Sequence, residues 1–155
     1  MARHKFTVGL AMRLLLAGLL MSLTALDHHA VRAADLGQPQ HKIAVQISSG
    51  NPDVQNMALN NTVNLITDLG MDNVQIEVVA YGPGLSIMTD KSVAAERVRS
   101  LEKQGVKFSA CHNTMEAVER KTGKMPVLLD GVGIVPSGAS RIVELQEKGY
   151  TYLRP

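Results

Sequence analysis

Five short apolar runs alternate with four helical segments between residues 42 and 153, and this alternation limits the possible folds more than any other feature of the chain. The runs are rich in β-branched residues and are bounded by turn residues such as glycine, asparagine and proline. The helical segments carry apolar residues three or four positions apart, which places them on one face. Apolar strands that alternate with amphipathic helices favour a parallel sheet covered on both faces. We therefore expect one α/β domain with a mainly parallel, five-stranded sheet.

The expected elements follow from where these patterns start and stop. Strands are predicted over residues 42–47, 74–81, 106–110, 132–135 and 150–153. Helices are predicted to begin near residues 53, 93, 112 and 138, with Ser92 as a candidate N-cap, and to stop at Gly70, Gly105, Gly123 and Gly149.

The first 33 residues have the pattern of a secretory signal peptide. A basic start precedes an apolar run of 13 residues (14–26), which is shorter than the ~20 residues that a membrane-spanning helix needs. The small residues around Ala33 suit cleavage after that position, and an uncleaved N-terminal anchor is the alternative. We expect a signal peptide over 1–33, a flexible lead over 34–41 and a periplasmic domain over 42–155 that does not contact the membrane after cleavage.

The charge of the predicted mature chain argues against nucleic acid as a partner. The signal segment carries four of the 16 basic and one of the 14 acidic residues, so 12 basic and 13 acidic residues remain. No basic stripe with interleaved aromatic residues is left. The remaining His41, His112 and single cysteine form no short metal-binding motif. The turn at 82–84 lacks the third glycine of a dinucleotide fingerprint, so we expect neither a metal nor a cofactor.

In an open parallel sheet, ligands bind beyond the carboxyl ends of the strands. That rule selects residues 48–51, 81–85, 111–114 and 136–138, which we expect along one edge of the domain. Tyr81 ends the second predicted strand and Gly82 follows it, where the glycine forms either a tight turn or a pocket wall. Ser137 and Gly138 open the last helix as either a small anion site or a plain cap.

Cys111, the only cysteine, follows the third strand and directly precedes a helix. The free N–H groups and the dipole of a helix start favour negative charge, and the thiolate is the reactive form of cysteine. The residue types also allow a buried structural thiol or a disulfide between two subunits. The neighbouring His112 fits a polar first residue of the helix or an acid/base group.

Several motifs, in order, resemble exported members of the DsrE/DsrF-like sulfur-relay family. They are NP at 51–52, ALNN at 58–61, VVAYGPG at 78–84, GVKFSACHNT at 105–114, VPSG at 135–138 and GYTYLRP at 149–155. The resemblance spans residues 42–155 and implies a flavodoxin-like three-layer α/β/α sandwich that forms trimers or hexamers. In the sulfur-relay members, a cysteine at the position of Cys111 accepts sulfur as a persulfide. Those members act in the cytoplasm, whereas this chain has a predicted export signal.

These observations lead to two functional hypotheses. In the first, an exported sulfur carrier forms a persulfide on Cys111, and Asn113 and Thr114 donate hydrogen bonds to the charged sulfur. Its partners would be donor and acceptor proteins or small sulfane-sulfur compounds. In the second, the protein is a non-catalytic oligomeric module that binds a small ligand or a protein, and Cys111 is structural.

Overall fold

The structure is a computed structural model that describes residues 39–155. The predicted signal peptide over residues 1–33, and the lead as far as residue 38, lie outside the described residues. Within residues 39–155, no helix is both long enough and apolar enough to cross a membrane.

Strands and α-helices alternate along the described residues, as the sequence predicts. The strands are β1 (His41–Ile47), β2 (Val74–Ala80), β3 (Lys107–Cys111), β4 (Gly133–Val135) and β5 (Thr151–Leu153). The helices are α1 (Pro52–Leu69), α2 (Ala95–Lys103), α3 (His112–Thr122) and α4 (Gly138–Glu147). Two 3₁₀-helices, Met71–Asn73 and Gly82–Met88, flank β2.

All strand pairs in the sheet are parallel, and the strand order is β4-β3-β2-β1-β5. The predicted α/β fold with a five-stranded parallel sheet is therefore confirmed. Strands β1 to β4 step in one direction, so right-handed connections place α1, α2 and α3 on one face. The connection from β4 to β5 returns across the sheet, and it places α4 alone on the other face. In flavodoxin, whose strand order is 2-1-3-4-5, the connection that changes direction across the sheet lies at a different point in the chain.

The two faces of the sheet are packed unequally. Alternate strand residues such as Ile43, Val78 and Phe108 enter a large apolar core. This core lies beneath α1, α2 and the 3₁₀-helix Gly82–Met88. The face under α4 has a small apolar cluster of Ala44, Val79, Ile142 and Leu145. Polar side chains are also buried on this face, including Gln46, Glu77 and Ser109. The domain thus combines one apolar face with one mixed face.

The start of α2 differs from the sequence-based expectation. The helix begins at Ala95 rather than at Val93, and its N-cap residue is Ala94. The Ser92 hydroxyl accepts a hydrogen bond from the Ala94 N–H at 3.2 Å, so it closes a turn that precedes the helix. Val93 is 88% exposed and contributes nothing to the core.

We predict that Gly84→Ala destabilises the domain. A methyl group at this position would overlap the backbone carbonyl of Ile47, which cannot move without disturbing β1. The expected loss in the free energy of unfolding is about 3 kcal/mol, as for other overpacked sites. Gly133→Ala is the matched control, because its nearest contact would be an ordinary 3.6 Å to the Phe108 carbonyl oxygen. Urea denaturation of both variants checks this, and equal stabilities would contradict it.

Candidate functional site

The four stretches selected from the sequence meet at the carboxyl edge of the sheet. The Gly82 N–H donates to the Thr114 hydroxyl at 2.9 Å, which joins the ends of β2 and β3. The Asn113 N–H donates to the Pro136 carbonyl at 3.3 Å, which joins the ends of β3 and β4. The turn after β1 packs on the turn after β2, since Gly50 lies directly against Pro83. Their predicted proximity is therefore confirmed.

Cys111 lies at the centre of this edge, as the last residue of β3 and the N-cap residue of α3. Phe108 and Ala110 belong to the large core, so strand alternation directs Cys111 toward the face that carries α4. The residue is 5% exposed. A disulfide to a second subunit would require the residues that cover the sulfur to move.

Polar groups at the starts of two helices act on the pKa of the Cys111 thiol. Burial raises the pKa of the thiol, because it disfavours the charged form. The Thr114 side chain and the N–H groups of Gly138, Thr114 and Asn113 lie near the sulfur and act in the opposite direction, because they lower this pKa. These donors outweigh burial, so the pKa of Cys111 lies below its ordinary value. Gly138 is the first residue of α4, so the N-termini of α3 and α4 both stabilise a thiolate here.

Thr114 links the cysteine to the turn after β2. A hydroxyl group has one hydrogen to donate and two lone pairs that accept. The Thr114 oxygen accepts from the Gly82 N–H, so its hydrogen is free to point at the sulfur. Gly82 has a φ of 54°, a left-handed conformation that glycine adopts without strain. The turn chemistry at Gly82 therefore helps to orient the Thr114 hydroxyl.

Tyr81 and the start of α4 cover the sulfur from the side of β2. A methyl group on Gly138 would lie 2.7 Å from Cδ1 of Tyr81, so the helix start and the tyrosine ring are in close contact. Burial raises the pKa of Tyr81, the electrostatic effects of Tyr152 and Cys111 raise it further, and that of Arg154 lowers it. Tyr81 is therefore a neutral phenol at neutral pH.

His112 and Ser137, two of the predicted site residues, are not among the groups that lower the pKa of Cys111. His112 is the first residue of α3, but its Nδ1 atom lies 3.7 Å from Oε1 of Glu116 and its side chain is half-exposed. Its ring is thus directed along the helix surface. The Ser137 hydroxyl accepts from the Ser140 N–H at 3.3 Å, which makes it the N-cap of α4. Asn113 contributes its backbone N–H rather than its side chain.

A separate cavity of about 760 Å³ lies on the other side of the Gly82 turn. Its apolar walls include Pro52, Leu85, Val118, Met125, Pro126 and Val127. Gly82 and Pro83 also line it, whereas Cys111 does not. The turn thus serves both roles considered for it, as a tight turn and as a pocket wall. Sequence patterns did not identify this cavity, because its walls come from segments far apart in the chain.

The described residues offer no metal site of the usual kind. Among residues 39–155, no group of three or more His, Cys, Asp or Glu side chains could hold a metal ion. The groups at the strand ends are instead neutral hydrogen-bond donors around one sulfur atom, an arrangement that suits an anionic sulfur species.

A sequence profile of the DsrE/DsrF-like family matches residues 41–155, nearly all of the described chain. The chain belongs to the DsrE/DsrF-like family. A similar solved structure is that of the protein of unknown function MTH1491 from Methanobacterium thermoautotrophicum, with 35% identity and a TM-score of 0.68. The match covers 74% of this chain and 99% of that one. No protein with a curated function matches this chain. The family resemblance predicted from the motifs is confirmed, and membership of an exported subgroup stays a prediction.

We predict that Thr114→Val raises the pKa of Cys111. The variant loses the hydroxyl donor to the sulfur and the acceptor for the Gly82 N–H, and a hydrogen bond to a charged group contributes about 1.5–3 kcal/mol. The thiolate fraction below the pKa should therefore fall by at least about tenfold. The ultraviolet absorbance of the thiolate against pH measures this, with Cys111→Ser as the blank.

Thr67→Val is the matched control, because the Thr67 hydroxyl bonds only the Val63 carbonyl on the exposed face of α1. A titration midpoint that is the same in Thr114→Val and in the wild type would show that the hydroxyl does not act on the sulfur.

Proposed function

We propose that this protein is a periplasmic sulfur carrier of the sulfurtransferase type, which forms a persulfide on Cys111. The observation that carries the proposal is the convergence of three backbone N–H groups and one hydroxyl on the only cysteine of the chain. Membership of a family with sulfur-relay members supports it. The predicted signal peptide supports a periplasmic location, and the family resemblance supports a homo-oligomer, a trimer or a hexamer.

The proposed reaction is a transfer of sulfane sulfur. The Cys111 thiolate attacks the sulfane sulfur of a donor such as a small persulfide, polysulfide or thiosulfate. A new S–S bond forms on Cys111 while the S–S bond of the donor breaks, and the departing thiolate, or sulfite from thiosulfate, takes the electron pair. An acceptor thiolate then attacks the outer sulfur and releases the Cys111 thiolate. A lowered pKa makes Cys111 a good leaving group in this second step.

The surroundings of the sulfur suit a small donor. Cys111 is 5% exposed, so a short linear species reaches it more readily than a folded donor protein does. The N–H groups of Asn113, Thr114 and Gly138 are placed to stabilise the negative charge of a persulfide as they do that of a thiolate. None of these donors needs to gain or lose a proton during the transfer.

Intact mass spectrometry tests the persulfide directly. The mature protein is incubated with polysulfide, thiosulfate or glutathione persulfide, and we expect the mass of one added sulfur atom on the wild type. Cys111→Ser should gain none, and a reductant should remove the added sulfur. A wild-type protein that gains no sulfur from any of these donors would overturn the proposal.

A second candidate function is ligand binding without covalent chemistry. The cavity of about 760 Å³ favours it, because its volume lies in the range of small-molecule sites and Cys111 is outside it. In this case Cys111 is a structural thiol, and Cys111→Ala leaves binding unchanged.

Dye binding distinguishes the cavity from other apolar surfaces. We expect an apolar fluorescent dye to bind the wild type and to lose at least tenfold in affinity in Val127→Trp, which fills the mouth of the cavity at a position 62% exposed. Val143→Trp is the matched control, at a position 54% exposed on α4. Equal affinities in the two variants would exclude the cavity as the binding site.

A further inference from the structure

A buried ion pair lies behind the cysteine, on the face of the sheet that carries α4. Glu77, in the middle of β2, is 2% exposed. Nε of Arg141 donates to Oε1 of Glu77 at 2.7 Å, and Nη2 donates to Oε2 at 2.8 Å. The Ser109 hydroxyl donates to Oε1 at 2.7 Å. Burial raises the pKa of Glu77, but the hydrogen bonds from Arg141 and Ser109 outweigh it, so the carboxylate is charged at neutral pH.

This ion pair connects the first turn of α4 to the two strands beside the sulfur. Ser109 lies two residues before Cys111 on the same face of β3. Arg141 lies in the first turn of α4, where its N–H donates to the Ser137 carbonyl at 2.9 Å. Gly138, three residues before Arg141, is the residue of α4 whose N–H lowers the pKa of Cys111. The Arg141 backbone therefore lies within one helical turn of that N–H group.

Apart from the hydrogen bond to the Pro136 carbonyl and the contact of Gly138 with Tyr81, few contacts fix the position of α4. The helix is 10 residues long and buries only Gly138, Ile142 and Leu145. Apolar contacts of this kind are non-directional, so they do not by themselves determine how far the helix start lies from β3. A two-pronged bond between a guanidinium and a carboxylate has a fixed geometry. Buried ion pairs often contribute little net stability. A role in fixing the position of α4 therefore explains this pair better than a role in stability does.

We propose that Arg141, held by Glu77, is a positioning residue that keeps the Gly138 N–H against the Cys111 sulfur and thereby sets the reactivity of that thiol. The inference rests on the proposed function, since it concerns the same sulfur. Neither Glu77 nor Arg141 contacts the reacting atoms in this account. They act through the placement of α4.

The alternative explanation for the reactivity of Cys111 is a direct effect of nearby charge on the thiol. It depends on the charged and titratable groups around this residue. Tyr81 faces the sulfur from β2, and Arg154 and Tyr152 act on Tyr81 from the side of β5. His112, on α3, is directed toward Glu116. Arg141 is the cation of α4 on this face, and it pairs with Glu77 and, through Nη1, with Glu144 at 3.0 Å. Removing both Glu77 and Arg141 leaves the net local charge unchanged, whereas Glu77→Gln alone leaves the cation paired only with the half-exposed Glu144.

Three variants separate positioning from direct charge, with the thiolate absorbance of Cys111 against pH as the readout. The double variant Glu77→Gln with Arg141→Met removes the bidentate bond and leaves no unpaired buried charge. Arg141→Lys keeps the charge but cannot hold both carboxylate oxygens with a planar fork. Glu77→Gln keeps the Arg141 cation but removes its carboxylate partner on β2. Arg99→Gln is the control, since Arg99 forms an exposed ion pair with Glu96 on α2. Circular dichroism establishes that each variant is folded.

Positioning predicts that the thiolate fraction below the pKa falls about three- to tenfold in the double variant, the size of one lost donor or helix-dipole contact. Persulfide loading by polysulfide at the same pH should slow in parallel. Arg141→Lys should give an intermediate value, and Arg99→Gln should match the wild type. Glu77→Gln should also lower the thiolate fraction, although a cation that has lost its buried carboxylate partner would by charge alone increase it.

The outcomes also separate this inference from the proposed function. A wild-type protein that gains a persulfide, together with a double variant whose thiolate titration and loading rate are unchanged, overturns the positioning role alone. A thiolate fraction that increases in Glu77→Gln also overturns it, in favour of direct charge. A wild-type Cys111 that titrates at the ordinary cysteine pKa and gains no sulfur overturns the proposed function itself.

Discussion

The lowered pKa of Cys111 depends on the Thr114 side chain and on backbone N–H groups that no carbonyl of their own helices can satisfy. Each helix leaves such groups at its start, and here the starts of α3 and α4 converge on the sulfur. The strand order makes this possible. Because β4 lies beside β3 and the connection to β5 returns over the opposite face, α4 begins close to the end of β3. A chain in which β5 followed beyond β4 would place that helix elsewhere.

The two faces of the sheet have different physical roles. The apolar face buries large side chains such as Phe108 and supplies most of the hydrophobic stabilisation. The mixed face has few apolar contacts and a polar cluster at Glu77. Polar contacts specify geometry better than apolar ones, and the cysteine lies on the face where geometry is specified in this way.

The sequence predicts the strands, the helices and the shared edge of the site, because each depends on local residue patterns. The β-branched run of β2 and the glycine at position 70 are examples. It does not predict that Gly138 reaches Cys111, since that contact depends on the order of strands in the sheet. The bond between Glu77 and Arg141 joins residues 64 positions apart. A signal for it exists nonetheless, because an acidic residue within an otherwise apolar strand requires a partner.

Cys111 has no second thiol in this chain. A sulfur atom bound to it therefore cannot be released by ring closure to an internal disulfide, which is how dithiol proteins discharge such adducts. Under the proposed function, the adduct would last until an external thiol reached it past Tyr81 and α4. The rate of sulfur delivery would then follow the concentration of the acceptor thiol.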